Sequence, residues 1–261
     1  MQRGGHKNYY LYEKNMYEIA IPSYKRANDC ATAKLFSRGI IFCHEFEVEE
    51  YKKHNKNKIV AIPDELAGKG MAVIRNYMLD HSKGDNVVLL DDDIKQFGYY
   101  ENLELFVMSE QEIYHFFDNA FRMAEEMGTK LWGVNLQSDK KFYREYSPFS
   151  LSSVILGPCM GITKDKDLRF DERLGLKEDY DYSVQVLRKF RKILRFNKFH
   201  YMSAHIKKKG GCASYRTMKK EEDQAILFQK KWGKNIVKIQ RKTQGGNMSI
   251  NPVIHCPIKG I

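Results

Sequence analysis

The sequence predicts an α/β fold in which a mostly parallel central sheet is flanked by helices. Short apolar runs and helical stretches alternate through the first 95 residues, as βαβ units require. Apolar residues make up 43% of the 261, enough to bury a sizeable core. The run Asn86-Val87-Val88-Leu89-Leu90 ends abruptly in Asp91-Asp92-Asp93, so three carboxylates stand at the end of a buried strand. In α/β proteins that edge of the sheet is where ligands bind.

Taken in order, Glu18-Ile19-Ala20-Ile21 is a first strand, stopped by Pro22-Ser23. Asp29 to Arg38 is a helix with an acidic start and Gly39 at its end. Ile40–Cys43 and Ile59–Ile62 are the next strands, the latter ended by Pro63. Gly70 to His81 is helical, and Asn86–Leu90 is the strand before the acids. Ser109-Glu110-Gln111-Glu112 is a capping box that opens a helix to Met127, closed by Gly128. Leu131–Val134 and Ser153–Leu156 are further strands. Glu178 to Phe190 is a helix with Val184, Leu187 and Phe190 on one face. Ile193–Tyr201 is a strand and Met218–Trp232 a helix, and the last twenty residues have little periodicity. No linker divides the chain. The expected organisation is an extension over 1–16, one domain over 17–240, and a tail over 241–261, free or packed on the domain.

There is no long apolar run, so no membrane span is expected, and the start lacks the apolar core of a signal peptide. The five cysteines are scattered with no C-x-x-C pair, which fits free thiols in a reducing compartment. The expected location is cytoplasmic. The net charge of +11 is uneven: Arg188 to Lys242 holds 18 Lys/Arg against 3 acids, while the rest is slightly acidic. That asymmetry suggests an anionic partner, nucleic acid first, against the alternative of a solvated basic surface. Arg188, Lys192 and the run Lys207-Lys208-Lys209 are the candidate phosphate contacts, the run serving either DNA or a diphosphate.

Several motifs fail. There is no P-loop, and no G-x-G-x-x-G follows the first strand. His44-Glu45 begins like a zincin motif but has Val48 where the second His belongs. Pro158-Cys159-Met160-Gly161 is not the P-C-x-x-C of a zinc deaminase. The acid triplet is no EF-hand, with Gln96 and Asn102 at the Gly and Glu positions.

Side chains alternate along a strand, so Asp91 and Asp93 should face one way and Asp92 the other. Two carboxylates on one face repel unless something positive sits between them, and a hard divalent cation held by oxygens is the simplest candidate. Arg75 matches phosphate geometry, or else makes a surface ion pair.

Four features follow in order: Ile21-Pro22-Ser23-Tyr24-Lys25-Arg26 after the first strand, a helix carrying Gly70 and Arg75-Asn76, the acid triplet, and Gly175-Leu176-Lys177-Glu178-Asp179 at a helix start, with His205 and Gly210-Gly211 beyond. Over residues 17 to 215 this set resembles the metal-dependent nucleotide-sugar glycosyltransferases of the GT-A fold, with Asp91-x-Asp93 as the D-x-D motif. The chain is similar, more narrowly, to the phage glycosyltransferases associated with ten-eleven-translocation dioxygenases. Those modify hydroxymethylated pyrimidines in DNA, and base J glucosyltransferases are among their relatives.

The resemblance implies a Rossmann-like sheet, a UDP-sugar donor, a Mn²⁺ or Mg²⁺ ion with Asp93 as its first ligand and Asp91 as its second, and a hydroxymethylated or already glycosylated base in phage DNA as acceptor. A phage enzyme of this kind would act in the host cytoplasm. The donor's base and ribose would lie against Pro22, Ser23, Tyr24 and Arg26, with Arg75, Asn76, Asp91 and Asp92 completing the donor site. Asp179, or Glu178, would be the general base, with Asp181 within a turn, and a retaining enzyme would need no such base. His205 is the candidate third metal ligand, with His200 its rival. Tyr143, Tyr146 and Phe149 would stack on a base drawn out of the duplex, or simply pack. The alternatives are a same-fold enzyme acting on protein, polysaccharide or RNA, a non-catalytic nucleic-acid-binding protein, and a nucleotidyltransferase.

Overall fold

The structure is a computed structural model, and it describes residues 17–136, 138–143, 146–203, 217–244 and 247–255. In chain order the elements are β1 (Glu18–Pro22), α1 (Ala31–Leu35), β2 (Gly39–His44), α2 (Val48–His54), β3 (Lys58–Ile62), α3 (Met71–His81), β4 (Asn86–Leu90), β5 (Ile94–Glu101), β6 (Glu104–Val107), α4 (Glu110–Glu126), β7 (Leu131–Asn135), β8 (Phe149–Ser150), β9 (Cys159–Thr163), α5 (Glu178–Phe190), β10 (Leu194–Ser203), α6 (Met218–Trp232), β11 (Val237–Gln244) and β12 (Asn247–Ile254).

A ten-stranded sheet runs in the order β3-β2-β1-β4-β9-β7-β10-β5-β6, with β8 paired to β10. The half from β3 to β4 is parallel, as the βαβ alternation predicts. β9 inserts antiparallel between β4 and β7, and β7 runs parallel to β10. Strand alternation sorts side chains between two apolar layers. Ile19, Ile21, Val88 and Leu90 pack with α4 residues such as Ile113 and Phe117. Ala20, Val87 and Leu89 pack with Met78 and Leu79 of α3 and with Tyr182 and Val186 of α5. Strands buried on both faces read as continuous apolar runs, which is why Asn86–Leu90 is so conspicuous. A third, small cluster of Leu174, Val184, Phe228 and Val237 seats α6 and the β11–β12 hairpin against α5.

Several expectations need correction. Ser153–Leu156 is not a strand. Ile155 is buried, but its N–H donates to Ser183 Oγ at 3.0 Å and its carbonyl accepts from the same hydroxyl at 2.9 Å. A helix side chain therefore satisfies the backbone that a sheet would otherwise pair, and the strand in this region is Cys159–Thr163. The helix expected over Asp29–Arg38 shrinks to Ala31–Leu35, because residues 26–29 form a turn with Asp29 N–H on the Arg26 carbonyl. The segment after 240 continues β11, which pairs with β12 along its length, so residue 240 falls inside a strand. Among the described residues no helix is long and apolar enough to cross a membrane.

His200 on β10 is fully buried, and neither ring nitrogen has a hydrogen-bond partner among the described residues. Burial pushes its pKa down to about 4. The unfolded chain binds this proton near 6.5, so the native state is deprived of it between those values, and stability is lost as pH falls from about 6.5 toward 4. His200→Leu is expected to flatten the urea-unfolding free energy across that window, where the wild type should fall by up to about 3 kcal/mol.

Candidate active site

The carboxyl ends of β1 and β4 and the start of α5 meet at one edge of the sheet. There a cavity of about 280 Å³ is lined by Met71, Arg75, Asp91, Asp93, Gly157, Pro158, Gly175, Leu176, Glu178 and Asp179. The acid triplet lies in the turn between β4 and β5. Thr32 of α1 secures this turn: its hydroxyl donates to the Asp91 carbonyl and accepts from Ile94 N–H at 2.9 Å, and its own N–H donates to the Asp92 carbonyl.

The three aspartates then separate. Asp91 and Asp93 face the cavity, whereas Asp92 is 5% exposed and points back into the protein. Asp92 accepts from Ser23 Oγ at 2.7 Å and pairs with Arg26 at 2.6 Å, and Tyr51 donates to Ser23 Oγ at 2.7 Å. Ser23, Arg26 and Asp92, all expected against the donor, thus form an internal network joining β1, α2 and the triplet. Asp93 has no hydrogen bond or ion pair among the described residues. Burial pushes the Asp91 carboxyl up, to about 6; Arg75 pulls the other way, and Asp93, Asp92 and Asp179 add to the rise. Such a concentration of negative charge fits a cation held by Asp91 and Asp93. No group of three His, Cys, Asp or Glu able to hold a metal occurs among the described residues. The expected third ligand, His205, lies outside the described residues, and His200 is buried between strands and does not line the cavity.

Arg75 is 3% exposed, so the surface-pair alternative fails. Its guanidinium donates to the Gly157 carbonyl and to Glu178 Oε1, both at 3.0 Å, and reaches Asp91 Oδ1 at 3.4 Å. It therefore ties α3, the loop before β9, the triplet and α5 together. Burial pushes the Glu178 carboxyl up, to about 8, against the opposing pull of Arg75. Asp179 accepts from Gly157 N–H at 2.9 Å and from Tyr180 N–H at 2.8 Å, which fixes its carboxylate at the cavity wall. Asp181, the other acid of the first turn, is fully buried and taken by Trp232 Nε1 and Lys231 of α6. It has no part in the cavity.

Asn76 is likewise committed elsewhere. Its amide donates to the Phe170 carbonyl at 2.9 Å and accepts from Phe170 N–H at 3.0 Å, pinning that loop to α3. Pro22 is the last residue of β1, and Tyr24 lies just beyond it, edge-on to His44 with ring centroids 5.5 Å apart. His44 in turn stacks on Phe46, which is 57% exposed. No periodicity in the sequence marks this aromatic group at the end of β2, where His44-Glu45 reads only as an incomplete zincin motif. Its nearness to β1 was the available signal, since parallel neighbours end at the same edge.

The basic candidates divide as well. Lys207, Lys208 and Lys209 lie outside the described residues. Arg188 is exposed, but it stands ten residues along α5 from Glu178, about 15 Å down the axis. Lys192 precedes β10 at the opposite edge of the sheet from the cavity. Tyr143 is buried and stacked on Tyr100, Phe149 packs edge-on to Phe196, and Tyr146 is 96% exposed.

Gly157 has no room for a side chain: a Cβ there would lie 2.4 Å from Arg75 Nη2. Gly157→Ala is expected to dislodge the guanidinium and weaken binding of a nucleoside diphosphate about tenfold or more in calorimetry, with the circular dichroism spectrum unchanged.

The architecture is that of GT-A glycosyltransferases. S. aureus TarS 1-349 in complex with UDP-GlcNAc matches at 14% identity and TM-score 0.50, over 82% of this chain and 65% of that one. Glucosyl-3-phosphoglycerate synthase from Mycobacterium tuberculosis, solved with Mn²⁺, UDP and glucosyl-3-phosphoglycerate, matches at 11% identity and TM-score 0.49, over 92% and 87%. The chain spans 60–65% of the length of the TarS structures it matches. No curated protein matches it. The family model for TET-Associated Glycosyltransferase matches residues 17–211, and the chain belongs to that family.

Proposed function

We propose that this protein transfers a sugar from a UDP-sugar to the hydroxyl of a 5-hydroxymethylpyrimidine, bare or already glycosylated, in phage DNA, with Mn²⁺ or Mg²⁺ as cofactor. The observation that carries the reading is the single cavity shared by Asp91, Asp93, Arg75, Glu178 and Asp179 at the carboxyl edge of the sheet. Its chemistry matches a donor diphosphate bound through a cation, and the TarS structure that shares the fold is a complex with UDP-GlcNAc. DNA as acceptor is what the sequence resemblance implies, and the 18 cations against 3 acids between Arg188 and Lys242 support it.

In this reading Asp93 and Asp91 hold the divalent ion, which when bound neutralises charge on the departing diphosphate. Arg75 sets the positions of Asp91 and Glu178 and adds positive charge to the wall. The bond between the sugar's anomeric carbon and the diphosphate oxygen breaks as the acceptor oxygen bonds to that carbon. The acceptor's proton passes to a carboxylate, for which Asp179 is better placed than Glu178, because Glu178 is engaged by Arg75. Tyr24, with His44 and Phe46 beside it, offers aromatic surface for the nucleotide base.

The test is nucleoside mass spectrometry of hydroxymethylcytosine DNA, and of the unmodified duplex, after incubation with Mn²⁺ and a mixed UDP-sugar pool. A hexose or pentose mass gained only on the hydroxymethylated nucleoside is the expected result. Transfer to RNA, protein or polysaccharide in a parallel panel, with none to DNA, overturns the acceptor. An absence of both transfer and donor hydrolysis overturns the activity.

A further inference from the structure

The last strand of the large sheet, β6, is an open edge: among the described residues nothing pairs with its outer side. It follows β5 through a two-residue turn in which Asn102 and Leu103 have φ of 50° and 62°, the geometry of a type I′ hairpin. Leu103, Leu105, Phe106 and Val107 are 49%, 46%, 39% and 62% exposed, a run of apolar side chains in water. Soluble proteins ordinarily protect such an edge with lysine, proline or a bulge, and β6 has none of these. Nor is the strand loose, since Phe106 stacks on Tyr99 at 5.4 Å and Tyr99 packs on Phe199.

The hydrogen-bond phase of this edge follows from its inner side. Met108 N–H donates to the Phe97 carbonyl, and the register pairs Val107 with Gly98 and Phe106 with Tyr99. Bonded and non-bonded pairs alternate in an antiparallel ladder, so Phe106 and Glu104 bond inward, and Leu105 and Val107 direct their N–H and C=O outward. A second strand must therefore bond to Leu105 and Val107.

We infer that this edge pairs with the same edge of a second copy of the chain, joining two sheets into one across a two-fold axis. One antiparallel register bonds both outward residues. Centred on Phe106, it sets Phe106 against the second copy's Phe106, Leu105 against its Val107, and Glu104 against its Met108. Glu104 is the only charge on the strand, and this register opposes it to no carboxylate. The edge is thus complementary to itself in backbone, apolar surface and charge, which is what an isologous interface requires.

Sedimentation equilibrium over a hundredfold range of protein concentration tests this. The wild type is expected to show a monomer–dimer equilibrium. Leu105→Pro removes one outward N–H without touching the inner ladder, and Val107→Lys places charge on an exposed position. Each should weaken association at least tenfold, with unchanged circular dichroism. Phe106→Cys should form a disulfide-linked dimer on mild oxidation, above the wild-type background; Cys30, Cys43 and Cys159 are buried. A wild type that stays monomeric throughout, or a dimer that both edge variants leave intact, overturns the inference.

Discussion

Asp93→Ala is expected to lower the rate of sugar transfer, and of donor hydrolysis without acceptor, by about 10³-fold, equivalent to roughly 4 kcal/mol of transition-state stabilisation. The size follows from the position of the charge. Asp93 faces the cavity with no hydrogen bond or ion pair among the described residues, so its carboxylate is available to a cation in a way that Asp92 is not. For the same reason the fold should survive, since nothing in the core depends on this side chain. Calorimetry with UDP should show Mn²⁺ enhancing binding to the wild type and having little effect on the variant. A variant that keeps both its rate and its metal-enhanced binding would remove Asp93 from the cation site.

Arg75→Met should be the most damaging single change to stability at the site, by about 3–5 kcal/mol in urea unfolding. The guanidinium is nearly inaccessible, and its removal leaves Glu178, itself 6% exposed, as a buried carboxyl without its cation. The loss should depend on pH, with a definite sign. Glu178 already holds its proton more tightly in the folded state, with a pKa of about 8, than an unfolded glutamate does. A raised folded-state pKa favours folding most at low pH, and that benefit is lost as pH rises from about 4.5 through 8. Without Arg75 the carboxylate is costlier still and its proton is held past pH 8, so the extra loss opens only above that pH, and Arg75→Met should be more destabilised at about pH 9.5 than at about pH 6. Adding Glu178→Gln should recover much of the loss at about pH 9.5. Equal destabilisation at both pH values, with no recovery in the double variant, would mean that Arg75 contributes by packing alone.

Much of this was legible in the chain. The parallel half of the sheet was readable because each of its strands is an apolar run cut off by proline or polar residues, and α4 because Ser109 and Glu112 form a capping box, present in the structure. Other elements left no periodic trace. In α2 only Tyr51 is buried, so Val48–His54 reads as a charged loop. β5 and β6 carry no strand signal because Gly98 interrupts the alternation of one and every residue of the other is exposed. Ser153–Leu156 misled in the opposite direction, having a strand's burial without a strand's hydrogen bonds.

The sequence by itself determined the α/β alternation, the place of the acid triplet at a strand's end, and two carboxylates at a helix start, because these are matters of local spacing. The stretch that matches the family, residues 17–211, contains all of them. Tertiary structure alone decided which acids remain available. Asp92 is taken by Arg26, 66 residues away, and Asp181 by Trp232, 51 residues away, which leaves Asp91, Asp93, Glu178 and Asp179 on one cavity. A carboxylate's role depends on the partners the fold brings to it and on the water it loses, and neither is encoded in its sequence neighbours.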